Sequence, residues 1–91
     1  MIDVRQTGHD DPLSFEVRVT AGGGETRHDV TLSRRDAERL GGGVAPDRLI
    51  DAAFRFLLDR EPKESILQRF DVSVISRYFP EFDARLADYL S

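Results

Sequence analysis

The aromatic residues of this chain are concentrated in its second half. Seven of the eight lie after residue 53, and Phe15 alone lies before it. Aromatic side chains supply the largest apolar surfaces available to a core. An N-terminal half that carries one of them must therefore pack against a C-terminal half that carries the rest. The distribution predicts one shared core and a single domain over residues 1–91, because a chain of this length has no room for a second core.

Charge is spread evenly along the chain. The net charge is −4, with six arginines against eight acids in residues 1–40 and seven basic against nine acidic residues in 41–91. A phosphate-binding surface needs a basic patch or stripe instead, so we do not expect nucleic acid as a partner. The chain has no cysteine, no apolar run long enough to cross a bilayer, and no signal-peptide pattern at its start. We therefore expect a cytoplasmic protein without membrane contact.

Two runs of alternating apolar and polar residues predict a β-hairpin. They cover residues 13–20 and 27–32, and Gly22-Gly23-Gly24 between them can adopt the positive φ angles of a chain reversal. Ile2 and Val4 predict a short third strand.

The charges on the outer face suggest a register for this hairpin. Pairing Val17 with Val30 sets Arg18 against Asp29 and leaves a four-residue loop, whereas a shift by two residues sets Arg18 against Arg27. Like charges that face each other across strands are destabilising, so we predict the first register.

Helix signals follow the hairpin. Ser33 to Asp36 has the spacing of a capping box, and a glycine triplet can end the helix that it starts. Pro46, Pro62 and Pro80 each suit a first helical turn. The predicted helices cover residues 34–40, 46–60, 61–70 and a last segment from Pro80. Residues 71–76 fit either a strand or a short helical turn capped by Asp71. Strands first and helices after indicate an α+β fold, with an N-terminal antiparallel hairpin or three strands packed on three to four C-terminal helices.

The helix predicted from Pro46 has an unusually wide apolar face. Apolar residues between 49 and 58 cover about half of its circumference, more than one short hairpin can bury. Such a helix is either the central element of the core or is also covered by a partner subunit. We expect a homodimer on this basis. The expected interface residues are Phe54, Leu58, Tyr78, Phe79 and Phe82.

The chain shows no pattern of catalytic or cofactor-binding residues. His28 lies on the inward face of a predicted strand, which favours a buried structural histidine over a general base. His9-Asp10-Asp11 is followed by Pro12 and favours a turn over a metal site. Neither glycine triplet matches a phosphate-binding loop. We expect no enzyme activity, no cofactor and no metal.

Residues 61–82 resemble a group of small bacterial proteins of similar length. The resemblance rests on Glu61 to Leu67, Phe70-Asp71 and Ile75 to Phe82. This group has no assigned activity, so the resemblance implies no catalytic residues. The same stretch fits core packing by Ile66, Phe70, Ile75 and Phe79, and Arg77 to Pro80 could alternatively form an exposed aromatic recognition patch.

Residues 27–58 resemble the ribbon-helix-helix fold of small dimeric repressors. The resemblance rests on the strand Arg27 to Ser33, then Asp36 to Leu40 and Leu49 to Phe54. It implies that strands from two chains pair and place Arg27, Asp29 and Thr31 in the major groove. Asp29 repels phosphate and can accept a hydrogen bond only from cytosine.

The sequence thus predicts a small soluble protein that acts as a non-enzymatic interaction or accessory module and forms a homodimer. Its expected partner is a second copy of itself or another protein. The alternative is a DNA-binding regulator similar to ribbon-helix-helix proteins.

Overall fold

A computed structural model describes residues 1–90 and confirms the α+β class. Four strands form one sheet in the order β1-β2-β3-β4, antiparallel except for the parallel β3–β4 pair. The strands are β1 Ile2–Gly8, β2 Leu13–Ala21, β3 Gly24–Leu32 and β4 Arg69–Asp71, and the helices are α1 Arg34–Gly41, α2 Pro46–Leu58, α3 Ile75–Tyr78 and α4 Phe82–Leu90. Two 3₁₀ turns, Lys63–Ser65 and Val72–Val74, flank β4. The predicted third strand is confirmed as β1.

The predicted register of the hairpin is wrong by two residues. Val17 faces His28 and Arg18 faces Arg27, because the hairpin loop has two residues instead of four. Gly22 and Gly23 have φ angles of 62° and 80°, the left-handed pair that a two-residue loop requires. Such a loop matches the right-handed twist of its strands, so the turn decides the register.

This register brings Arg18 and Arg27 together on the solvent-facing side of the sheet, and acidic side chains nearby compensate their positive charges. Glu25 lies 3.7 Å from Arg18 and 3.2 Å from Arg27. On the adjacent row, Glu16 contacts Arg5 of β1 at 3.2 Å. These groups are partly or largely exposed, so water screens their repulsion and its cost is smaller than that of a distorted turn.

The helices predicted at 34–40 and 46–60 are confirmed with small differences at their ends. The Ser33 side chain accepts a hydrogen bond from the Asp36 main chain at 3.0 Å and caps α1. Pro46 is at the start of α2, as its fixed φ favours. The last helix begins at Phe82, two residues after Pro80.

The helix predicted at 61–70 is wrong. After one 3₁₀ turn the chain becomes extended, and Phe70 pairs with Val30 in the parallel β3–β4 ladder. The main-chain N–H of Asp29 also donates to the Gln68 carbonyl at 2.8 Å. Main-chain pairing with β3 thus outweighs the local preference for a helix that Pro62 and the following residues indicated.

The open alternative at 71–76 resolves as a helical turn for most of its length. Asp71 ends β4, and its carboxylate accepts a hydrogen bond from the Ser73 main chain at 3.1 Å. This is the cap that the sequence favours, and the chain then continues through a 3₁₀ turn into α3.

Helix α2 is the central element of the core. Its residues Leu49, Ile50, Ala52, Ala53, Phe54 and Phe56 are fully buried by the sheet on one side and by C-terminal elements on the other. The ring of Phe56 packs edge-to-face against Phe79, Phe82 and Tyr89, and the Arg60 guanidinium lies 3.6 Å above it. One chain therefore covers the wide apolar face by itself.

Candidate functional site

An apolar groove lies between the end of α2 and α3. Its volume is about 320 Å³, and one continuous stretch of chain between Leu57 and Phe79 supplies all of its lining. The floor is formed by the mostly buried side chains of Leu57, Ile66, Phe70, Val74 and Ile75. A volume of this size lies at the lower end of ligand pockets and suits one or two apolar side chains.

Two exposed apolar side chains form the rim of the groove. Leu67 is 48% exposed and Tyr78 is 67% exposed. Within residues 1–90, Met1 is the only other large apolar side chain with comparable exposure. Single exposed apolar residues are ordinary on protein surfaces, but two of them on the rim of one apolar hollow form a patch suited to binding.

His28 holds the main chain of one rim in place. Its Nδ1 lies 2.7 Å from the Leu67 carbonyl oxygen, and its Nε2 lies 2.9 Å from the Thr26 hydroxyl. A carbonyl can only accept, so Nδ1 carries a proton and donates it to Leu67. In the neutral ring Nε2 then accepts from Thr26. The ring is buried and packs against Phe54 with centroids 5.3 Å apart.

The carboxylate of Glu61 is the charged group in the groove. Partial burial raises its pKa above the ordinary value, because the charged form loses hydration. In the described part of the chain, no side chain forms an ion pair or a hydrogen bond with this carboxylate. The groove therefore combines an apolar hollow with an uncompensated negative charge.

The five expected interface residues divide between the core and this groove. Phe54 and Phe82 are 0% exposed and belong to the core, so they are not available to a partner in this fold. Leu58 is half-buried against the same core. Phe79 is also half-buried, and together with the exposed Tyr78 it lines the groove. The sequence pattern identified apolar residues correctly but could not separate covered from uncovered ones.

Sequence reasoning missed Glu61 and misplaced Leu67. A helix over residues 61–70 would place Leu67 on its inward face together with Ile66 and Phe70, whereas the extended segment turns Leu67 outward beside the buried Ile66. The alternation of burial from Ile66 to Leu67 is a strand-like signal, but it is too short to recognise without the pairing to β3.

Other candidates from the sequence have structural roles. His9-Asp10-Asp11 forms the turn before Pro12, and Asp11 accepts a hydrogen bond from the Arg34 main chain at 3.1 Å. No cluster of metal-ligating side chains occurs within residues 1–90. A second hollow on the outer sheet face is lined by both signs of charge, from Asp3, Arg5, Glu16, Arg18 and Arg27.

The ribbon-helix-helix arrangement would require a free edge on β3. Here β3 is an interior strand, with β2 on one side and β4 paired along Asp29–Thr31 on the other. The residues that would enter the major groove therefore lie in the middle of a sheet. Among the described helices, none combines the length and the apolarity that a membrane span requires.

Comparison with protein-family models, with curated proteins and with solved structures finds no match to this chain. The resemblances drawn from the sequence therefore stay predictions.

Proposed function

We propose that this protein is a non-enzymatic protein-interaction module whose groove between α2 and α3 binds a segment of another protein. The observation that carries the proposal is that Leu67 and Tyr78 flank the same apolar hollow. Within residues 1–90 they are the exposed large apolar side chains other than Met1.

The dimensions of the groove define the segment that fits it. A volume of about 320 Å³ accepts one bulky apolar side chain with its neighbour, and not an extended apolar ligand. Tyrosine, as at position 78, is enriched at binding hot spots, where an anchor residue of the partner fills a pocket. An amphipathic helix presents one apolar anchor per turn and suits this shape.

Glu61 defines the charge of that segment. A lysine or arginine one helical turn from the apolar anchor would pair with the Glu61 carboxylate, which loses hydration in its own chain without gaining a partner. Pairing with a cation restores the charged form, so binding should weaken as the pH falls through the raised pKa of Glu61.

Site-specific photo-crosslinking tests this proposal. A benzophenone amino acid replaces Tyr78 in the groove or, as a matched control, the exposed Arg35 of α1. We expect a discrete cross-linked protein from position 78 and none from position 35. Mass spectrometry should locate the cross-link in a segment with an apolar residue within one turn of a lysine or arginine.

Two groove variants complete the design. Leu67→Asp should abolish the cross-link, and Glu61→Gln should weaken it and remove its pH dependence. The proposal is wrong if position 78 gives no adduct, if both positions give the same adducts, or if the cross-linked segment lacks the apolar and basic pair.

A further inference from the structure

The outer edge of β1 is an unpaired strand edge with a defined pattern of main-chain groups. Met1 and Thr20 exchange both main-chain hydrogen bonds, with the terminal amine donating at 2.7 Å and the Thr20 N–H donating at 2.9 Å. Hydrogen-bonded pairs alternate along an antiparallel ladder, so Asp3 and Arg5 also point their main-chain groups toward β2. Those of Ile2, Val4 and Gln6 must therefore point away from the sheet.

Nothing in the described chain covers these outward groups. No hydrogen bond within residues 1–90 reaches the main chain of Ile2, Val4 or Gln6 from the open side. The strand carries charged side chains, Asp3 and Arg5, but lacks other devices that usually protect an edge. The segment Ile2–Gln6 contains no proline, no lysine and no bulge, and its first irregularity falls between Gln6 and Gly8.

We propose that a second copy of this chain occupies this edge. The two β1 strands pair antiparallel about a two-fold axis at Val4, so that the four strands of each copy join one continuous sheet. Paired residues then have numbers that add to eight. Val4 meets Val4, and Ile2 meets Gln6, and these are the residues whose main-chain groups point outward. The regular segment Ile2–Gln6 is centred on this axis.

Charge complementarity selects this register. Asp3 of one copy faces Arg5 of the other, and the two-fold axis produces this pair twice. Both are non-hydrogen-bonded pairs, in which the side chains of facing residues lie closest together. Asp3 forms no ion pair within the described chain, while Arg5 is exposed and reaches Glu16 at 3.2 Å. A shift by two residues would oppose Asp3 to Asp3 or Arg5 to Arg5. A shift by one would put the inward-facing residues of one copy opposite the outward-facing residues of the other.

In the hairpin, the turn between β2 and β3 decided the register against the preference of the charged side chains, but no such turn connects two copies of β1. Gly22 and Gly23 connect β2 to β3 and fix that register, whereas two separate chains have no connecting loop. Main-chain pattern and side-chain pairs alone determine how they join. Val4, which one chain leaves half-buried, would be covered by Val4 of the other copy across the axis, with the half-buried Ile2 as its diagonal neighbour. The inference does not rest on the groove, because β1 and β4 lie at opposite ends of the sheet.

Charge reversal with light scattering tests the pairing. The wild-type chain of 10.3 kDa should approach twice that mass as its concentration rises. Asp3→Arg and Arg5→Asp should each weaken self-association about ten- to thirtyfold, because two attractive pairs become repulsive. An equimolar mixture of these two variants should associate again, since every cross-axis pair then has opposite charges. Arg27→Asp, on the same face but away from the edge, should leave association unchanged.

Val4→Pro provides a second test that does not depend on charge. Proline removes an N–H that faces solvent in the single chain, so the fold should persist while the dimer is lost. Circular dichroism checks the fold of each variant. The proposal is overturned if the wild type stays monomeric at hundreds of micromolar, if both charge variants associate as the wild type does, or if their mixture stays monomeric. Each of these results leaves the cross-linking test of the groove unaffected.

Discussion

Phe54→Leu should lower the free energy of unfolding by about 1 to 3 kcal/mol. Phe54 is 0% exposed, and its ring lies 5.3 Å from His28 and 6.0 Å from Phe70 between centroids. Leucine keeps most of the apolar contact but removes two ring pairs, each worth about 0.5–1.5 kcal/mol. A domain of this length has about 5–14 kcal/mol of stability, so the variant should still fold. Alanine would cost about 3–5 kcal/mol and risks complete unfolding.

Urea denaturation provides the measurement. With a typical slope of about 1–3 kcal/mol per molar urea, the midpoint should fall by about 1 M. The matched control is Tyr78→Leu, the same kind of change at a residue that is 67% exposed. It should change stability by less than about 0.5 kcal/mol. Both variants are compared with the wild type at a concentration where light scattering detects single chains.

The comparison separates two interpretations that the sequence left open for these residues. If a partner subunit covered Phe54, its replacement would leave the midpoint of the single chain almost unchanged. Equal shifts for Phe54→Leu and Tyr78→Leu would therefore refute the assignment of one residue to the core and the other to the groove rim.

Two further variants test the hairpin turn and the attachment of β4. Gly23→Ala should destabilise the protein by about 1–2 kcal/mol, because φ is 80° there, whereas Gly43→Ala should be neutral or stabilising, since an added methyl group meets no atom within 4 Å. Thermal unfolding checks both, and similar melting temperatures would contradict the role of the turn. Burial of the Asp71 carboxylate tends to raise its pKa, but hydrogen bonds from Thr31 at 2.5 Å and from Ser73 outweigh that effect and lower the pKa. A carboxylate with a lowered pKa stabilises the fold above its unfolded pKa of about 3.9 and loses that contribution as the pH falls through its folded value. Thr31→Val should therefore cost about 1 kcal/mol at neutral pH and less once the pH falls below the lowered pKa of Asp71, and a difference that stays constant with pH would contradict this.

Local patterns in the sequence were sufficient to predict the strands and helices in the first two thirds of the chain, although the predicted hairpin register was wrong. The alternation at residues 13–20 and 27–32, the cap at Ser33 and the proline at position 46 act through a few neighbouring residues, and the structure confirms each of them. The hairpin register also depended on a local signal. The φ preferences of Gly22 and Gly23 outweigh screened charges on an open face.

Tertiary structure alone decided residues 61–70 and the location of the groove. The extended path there depends on main-chain pairing with β3 and on the bond between His28 and the Leu67 carbonyl, which join residues 39 or 40 positions apart. No pattern within a short window encodes such a contact. The sequence by itself determined which side chains are apolar, and only the packing of α2 between the sheet and the C-terminal elements determined that Phe54 is enclosed and Tyr78 is not. The burial of a side chain depends on all residues that surround it in space, and many of these are distant in the sequence.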